Sequence, residues 1–233
     1  MYKEEIEAYK QAVRIDPDNA IPHFNLGNAY GKSGMYKEAI EAYKQVIRIN
    51  PDDALAHSNL GDAYEKSGMY KEAIEAFKQA IRISPDYLKA HYNLGFAYIK
   101  SGMNKEAIEA CKQAIRINPD YAGAHSLLGY AYGKSGKYKE AIEAYKQVIR
   151  IDPDEVYALT TLGNAYIKSG MYKEAIEVLQ QAIRINPDYA GAHFNLGYTY
   201  AFLNDKASAL EQSKILKSID SELANKLFNI IYE

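Results

Sequence analysis

The chain has 233 residues, 48% of them hydrophobic and 25% charged, the proportions of an ordinary globular protein. Lys plus Arg number 28 against 30 for Asp plus Glu, and the net charge of −2 excludes bulk attraction to nucleic acid or an anionic membrane. A single cysteine, Cys111, excludes an internal disulfide framework and fits a reducing compartment. No apolar run approaches the ~18 residues needed to span a bilayer, and the opening "MYKEEIEAYK" lacks the apolar core of a signal peptide. A cytoplasmic chain without membrane insertion is expected.

Pro17, Pro51, Pro85, Pro119, Pro153 and Pro187 recur with a constant step of 34 residues, and the text between them barely changes. A fixed period of this size marks stacked supersecondary units. Each unit divides at an inner glycine: Gly34, Gly68, Gly102, Gly136 and Gly170. Both halves carry apolar residues at helical spacing, as in Leu60, Ala63 and Tyr64 and then Ala73, Ile74, Phe77, Ala80 and Ile81. Asp53 or its equivalent can cap the first helix, "KSG" can end it through a left-handed glycine, and "NPD" or "DPD" ends the second.

In chain order, one array is expected over 1–233. It opens on a half repeat holding only a second helix (1–19). Repeats follow at 20–53, 54–87, 88–121, 122–155, 156–189 and 190–220, and a capping helix at 221–233. The first segment lacks a first-helix partner, so it reads either as part of a longer array or as a face that packs on another molecule. Repeat text fades after Tyr200, and Leu223, Leu227, Ile230 and Ile231 suit the last helix to cap the final pair. Phe228 and Tyr232 widen that stripe and could instead contact a second copy.

The second repeat holds Leu60, Gly61, Tyr64, Ala73, Phe77 and Pro85 at places where the tetratricopeptide repeat family has its signature residues. The chain resembles that family closely and over nearly its whole length. The resemblance implies an all-α, right-handed superhelical solenoid of stacked antiparallel helix pairs. It also implies a concave surface lined by the first helix of each pair, which binds extended partners.

"NLGNAYGKSG", residues 25–34, imitates a phosphate-binding loop but fails as one. Only three residues separate Gly27 from Gly31, no strand precedes them, and Gly31 becomes Glu65, Ile99 and Ile167 in sister repeats. His23, His57, His91, His125 and His193 share one repeat position, too far apart to converge on a metal, and read as half-buried packing residues. Cys111 takes a place filled elsewhere by Tyr43, Phe77 and Tyr145, and reads as a small core hydrophobe. No set of residues breaks the repeat's phase as a catalytic constellation would. The expectation is a non-catalytic chain without cofactor or metal.

The family's ligand-contacting positions can be followed through this sequence. The sixth gives Asn25, Asn59, Asn93 and Asn195, an amide ladder able to grip a peptide main chain and broken at Leu127 and Thr161. The ninth gives Asn28, Asp62, Phe96, Tyr130, Asn164 and Tyr198, and the second and fifth add Lys89 and Tyr92. Tyr92, Phe96 and Tyr130 either anchor a ligand or pack against neighbouring helices. Lys32, Lys66, Lys100, Lys134 and Lys168 form a basic groove edge, read as helix C-terminal cations or as a selector of acidic ligands. Asn28, Asn59 and Lys89 also match part of a clamp for acidic chaperone tails, but Phe24 and Asn93 stand where that clamp wants cations.

The function expected is a protein–protein interaction scaffold that binds an extended peptide in the groove, with no nucleic acid partner. Two alternatives stand beside it: a regulatory fragment of a larger enzyme, and a homo-oligomer assembled through the terminal helices.

Overall fold

A computed structural model describes residues 2–232, which form two compact units, one up to Pro119 and one from Asp120. The first contains α1 (Tyr2–Ile15), α2 (Ala20–Lys32), α3 (Tyr36–Ile49), α4 (Ala54–Lys66), α5 (Tyr70–Ile83), α6 (Leu88–Lys100) and α7 (Asn104–Ile117). The second contains α8 (Ala122–Lys134), α9 (Tyr138–Ile151), α10 (Val156–Lys168), α11 (Tyr172–Ile185), α12 (Ala190–Phe202), α13 (Lys206–Ile219) and α14 (Ser221–Tyr232). There is no strand among the described residues. Each unit is an all-α solenoid of stacked helix pairs, as the sequence pattern predicts.

Helix ends follow from local chemistry. At the α2–α3 turn the Met35 amide donates to Tyr30 and the Gly34 amide to Gly31, with Gly34 at φ 75°. This pair of bonds satisfies carbonyls the helix leaves open, and the positive φ favours glycine. Asn204 takes the glycine's place in the last repeat at φ 61°, and Asp205 still donates to Tyr200. Asn tolerates this conformation better than most side chains. The helix-pair geometry therefore continues where the repeat text has faded, α13 keeping the 14-residue length of α11. Capping is less uniform than expected: Asn19 and Asp53 accept from Ile21 and Ala56 amides, whereas Tyr87 and Tyr189 make no side-chain cap.

Within a pair, a missing side chain sets the approach. A Cβ on Gly61 would sit 2.6 Å from the Phe77 ring, and one on Gly27 or Gly129 would strike Tyr43 or Tyr145 at 2.7 and 2.8 Å. Ala73 and Phe77 beside this contact are wholly buried. Cys111 is likewise buried, and burial pushes its thiol pKa up to about 12, so it behaves as a core hydrophobe.

Four histidines tie a turn to the next helix. His23, His57, His91 and His193 place Nε2 2.8–2.9 Å from the carbonyl oxygen of the proline six residues earlier. They are buried or half-buried packing residues, and His193 also lies 2.7 Å from Gln212 Oε1 through Nδ1. No cluster of three metal-ligating side chains exists among the described residues. No described helix is long and apolar enough to cross a membrane. In the second unit Leu227 and Ile231 of α14 are buried, and Leu227 fills the space above Gly197. Phe228 and Tyr232 face outward as a tilted aromatic pair, ring centroids 4.7 Å apart and planes 42° apart.

Candidate functional site

In the first unit the helices that open each pair, α2, α4 and α6, present a connected polar row. Asn28 Oδ1 accepts from the Tyr43 hydroxyl at 2.7 Å and from the Asn59 amide at 3.4 Å. One repeat on, Asp62 accepts from Asn93 and from Lys89, both at 2.6 Å. Ninth-position oxygens thus serve sixth-position amides of the next repeat, as rungs across neighbouring helices. Five of the expected contact residues (Asn28, Asn59, Asp62, Lys89 and Asn93) are brought together here, largely engaged with one another. Asn25, Tyr92 and Phe96 are half-buried on the same helices.

The basic positions differ in setting. Lys66 stands 3.8 Å from Glu65, a carboxyl whose pKa burial raises. Lys100 lies over the Phe96 ring at 5.2 Å. Lys32, Lys66 and Lys100 are all exposed at the last turn of their helices, where the helix dipole favours a cation.

The second unit departs from this plan because its sixth and ninth positions change. Where the first unit has Asn28 and Asn59, this one has Tyr130 and Thr161. Thr161 turns its hydroxyl back to the carbonyls of Tyr157 and Ala158. No amide rung forms between α8 and α10, and a cleft of about 340 Å3 opens between α8, α9, α10 and α12. That is at the small end of ligand-sized cavities.

Tyr130 and Tyr157 are the exposed aromatics of the cleft, at 38% and 49% exposure. Tyr145 is a buried phenol in its lining, its pKa raised far above the ordinary phenol range by burial. Asn164 and Asn195 supply amides, and Lys134 and Lys168 supply cations, Lys134 lying over the Tyr130 ring at 5.3 Å.

Tyr130, Lys134, Lys168 and Asn195 are therefore gathered in one cleft, whereas Tyr198 packs into the cores on either side of α12. Tyr130 belongs to the second unit, and Tyr92 and Phe96 to the first. Sequence reasoning missed Tyr157 and Tyr145. Tyr157 holds the second repeat position, the one that singled out Lys89, so that column carried the signal. Tyr145 looked like a pure core residue, because only the loss of its Asn28-type acceptor leaves its hydroxyl at an open cleft.

The family model of the cilia and flagella-associated protein 70 C-terminal domain, a tetratricopeptide module, matches residues 5–225. The chain belongs to the tetratricopeptide repeat family. Among solved structures, MamA is 31% identical, with a TM-score of 0.67 over 70% of this chain and 95% of its own. YrrB, described as a TPR protein with an unusual peptide-binding site, is 27% identical, with a TM-score of 0.70 over 80% of this chain and 96% of its own. The C-terminal part of a TPR protein from Cytophaga hutchinsonii reaches a TM-score of 0.82 over 99% of this chain and 94% of its own, and at 17% identity it speaks for the fold alone. No curated protein sequence matches the chain. Tetratricopeptide arrays are interaction scaffolds, and this chain has the scaffold's architecture.

Proposed function

We propose that this tetratricopeptide chain binds an extended segment of a partner protein across α8, α10 and α12, with the cleft between Tyr130 and Tyr157 as its anchor point. The observation that carries the reading is the pair of exposed tyrosine rings in a concavity that also offers amides and lysines. Exposed aromatics in a concave site are the usual anchors of recognition, since they bury large area at little entropic cost. In the first unit the Asn59 and Asn93 amides are held by internal bonds, which leaves them less unused hydrogen-bonding capacity than the cleft offers. YrrB's peptide-binding site supports the same use of the fold.

The test is a random peptide-display selection on the purified full chain, repeated with Tyr157→Ala and Asn164→Ala. Enriched peptides whose affinity falls about tenfold in either variant support the proposal, a loss typical of an interface anchor. Enrichment indifferent to both substitutions overturns it. A mass above one chain, abolished by Phe228→Ser, would favour a homo-oligomer built on the outward Phe228–Tyr232 pair instead.

A further inference from the structure

Resting on that reading, the charges around the cleft restrict what the bound segment can be. α8, α10 and α12 contain no Asp or Glu along their whole lengths, and their only formal charges are Lys134 and Lys168. No carboxylate lines the cleft. Glu155, just before α10, turns its carboxylate onto the Tyr157 and Ala158 amides and so caps that helix, and Glu140 of α9 is not among the lining residues although its neighbour Ala141 is. The first unit is built differently, since Asp62 and Glu65 on α4 stand beside Lys89 and Lys66. The two lysines of the cleft thus have no comparable carboxylate among its lining residues. The Asn164 and Asn195 amides add groups able to donate.

We infer that the cleft selects an acidic segment, in which an apolar or aromatic side chain seated between Tyr130 and Tyr157 lies between two carboxylates. Lys134 and Lys168 end the two helices that flank the cleft. Helices are ~10–12 Å across, and an extended chain advances ~3.3 Å per residue. The two acidic residues therefore fall about three to four positions apart. Carboxylates near the lysines reach groups that a neutral or basic segment would leave desolvated and unpaired.

The probe is a random peptide library displayed against the full chain at low ionic strength. The best peptides are then titrated with Lys134→Gln, Lys168→Gln and Tyr157→Ala proteins whose fold is checked by circular dichroism. The expected result is enrichment of paired Asp or Glu around an apolar residue. Each lysine substitution should then weaken binding by up to about fivefold, the range of an exposed ion pair. The lysine effect should largely vanish near ~1 M salt, where the screening length is ~3 Å. Peptides that need Tyr157 but show no acidic bias and ignore both lysines overturn this inference and leave the cleft reading standing. Peptides that ignore Tyr157, or no enrichment at all, overturn both.

Discussion

The Lys89 ammonium lies 2.6 Å from one oxygen of Asp62, and the Asn93 amide donates to the other at the same distance. Burial pulls the Lys89 pKa down, and the hydrogen bond and charge of Asp62 outweigh it, so the ammonium is held charged. Two side chains expected to grip a ligand grip each other, and α4 and α6 are tied through their polar faces. Cutting that tie should cost modest stability, because Lys89 remains half in water. Denaturant unfolding of Asp62→Ala, Lys89→Ala and the double variant should give a coupling of about 0.2–1 kcal/mol. Strictly additive single effects would show that the pair contributes nothing.

Two glycines of the same helical text should respond in opposite directions. Gly61→Ala drives a methyl group into the Phe77 ring, which is fully buried and has no room to yield. The expected cost is about 1–3 kcal/mol, the usual penalty for overpacking. Gly31→Ala meets nothing within 4 Å near the end of α2, so it should gain about 0.5–1 kcal/mol from helix propensity. Thermal melts that move the same way for both would refute the packing account.

Cys111 should be chemically silent in the native protein. With its thiol pKa near 12 and its side chain buried, little thiolate exists at neutral pH and a reagent cannot reach it. Labelling by a thiol-specific chromogenic reagent should therefore track unfolding across a denaturant series. Rapid labelling of the fully folded chain would contradict the burial.

Tyr43 should make the fold sensitive to alkali. Burial first, and then the charge of Asp62, raise its pKa from 10.0 to about 12. The native state therefore keeps the phenolic proton in a range where the unfolded chain loses it, and stability falls as pH rises from about 10 toward 12. Tyr43→Phe should flatten that part of the stability-against-pH curve. It should also lower neutral-pH stability by about 0.5–1.5 kcal/mol through loss of the bond to Asn28. An unchanged alkaline slope in the variant is the contrary result.

Much of this molecule is legible in its sequence because the decisive forces are local and repeated. The proline period, the left-handed glycines and the alternation of small and aromatic residues each specify one turn or one helix contact, and Gly34 and Gly61 behave as their chemistry requires. The fading of the text after Tyr200 was harder to interpret, since Asn204 keeps the turn that glycine keeps elsewhere. The candidate site was legible in part. Repeat columns locate Tyr130, Lys134, Lys168 and Asn195 on the correct helices. They cannot say whether a polar side chain bonds to its neighbour or stays available, because that depends on pairs such as Asn28 with Asn59 rather than on either residue alone. Replacing that pair by Tyr130 and Thr161 turns a closed rung into an open cleft.

The link from His23, His57, His91 and His193 to the proline six residues before each is closed by the chain's own short-range geometry. A one-residue insertion between proline and histidine would cut that link and rotate the following helix by about 100°, as 3.6 residues per turn demands. Copying a complete 34-residue segment would leave every such link intact. Array length is therefore a quantity that recombination can change in whole cassettes, while slippage by single residues is punished at once.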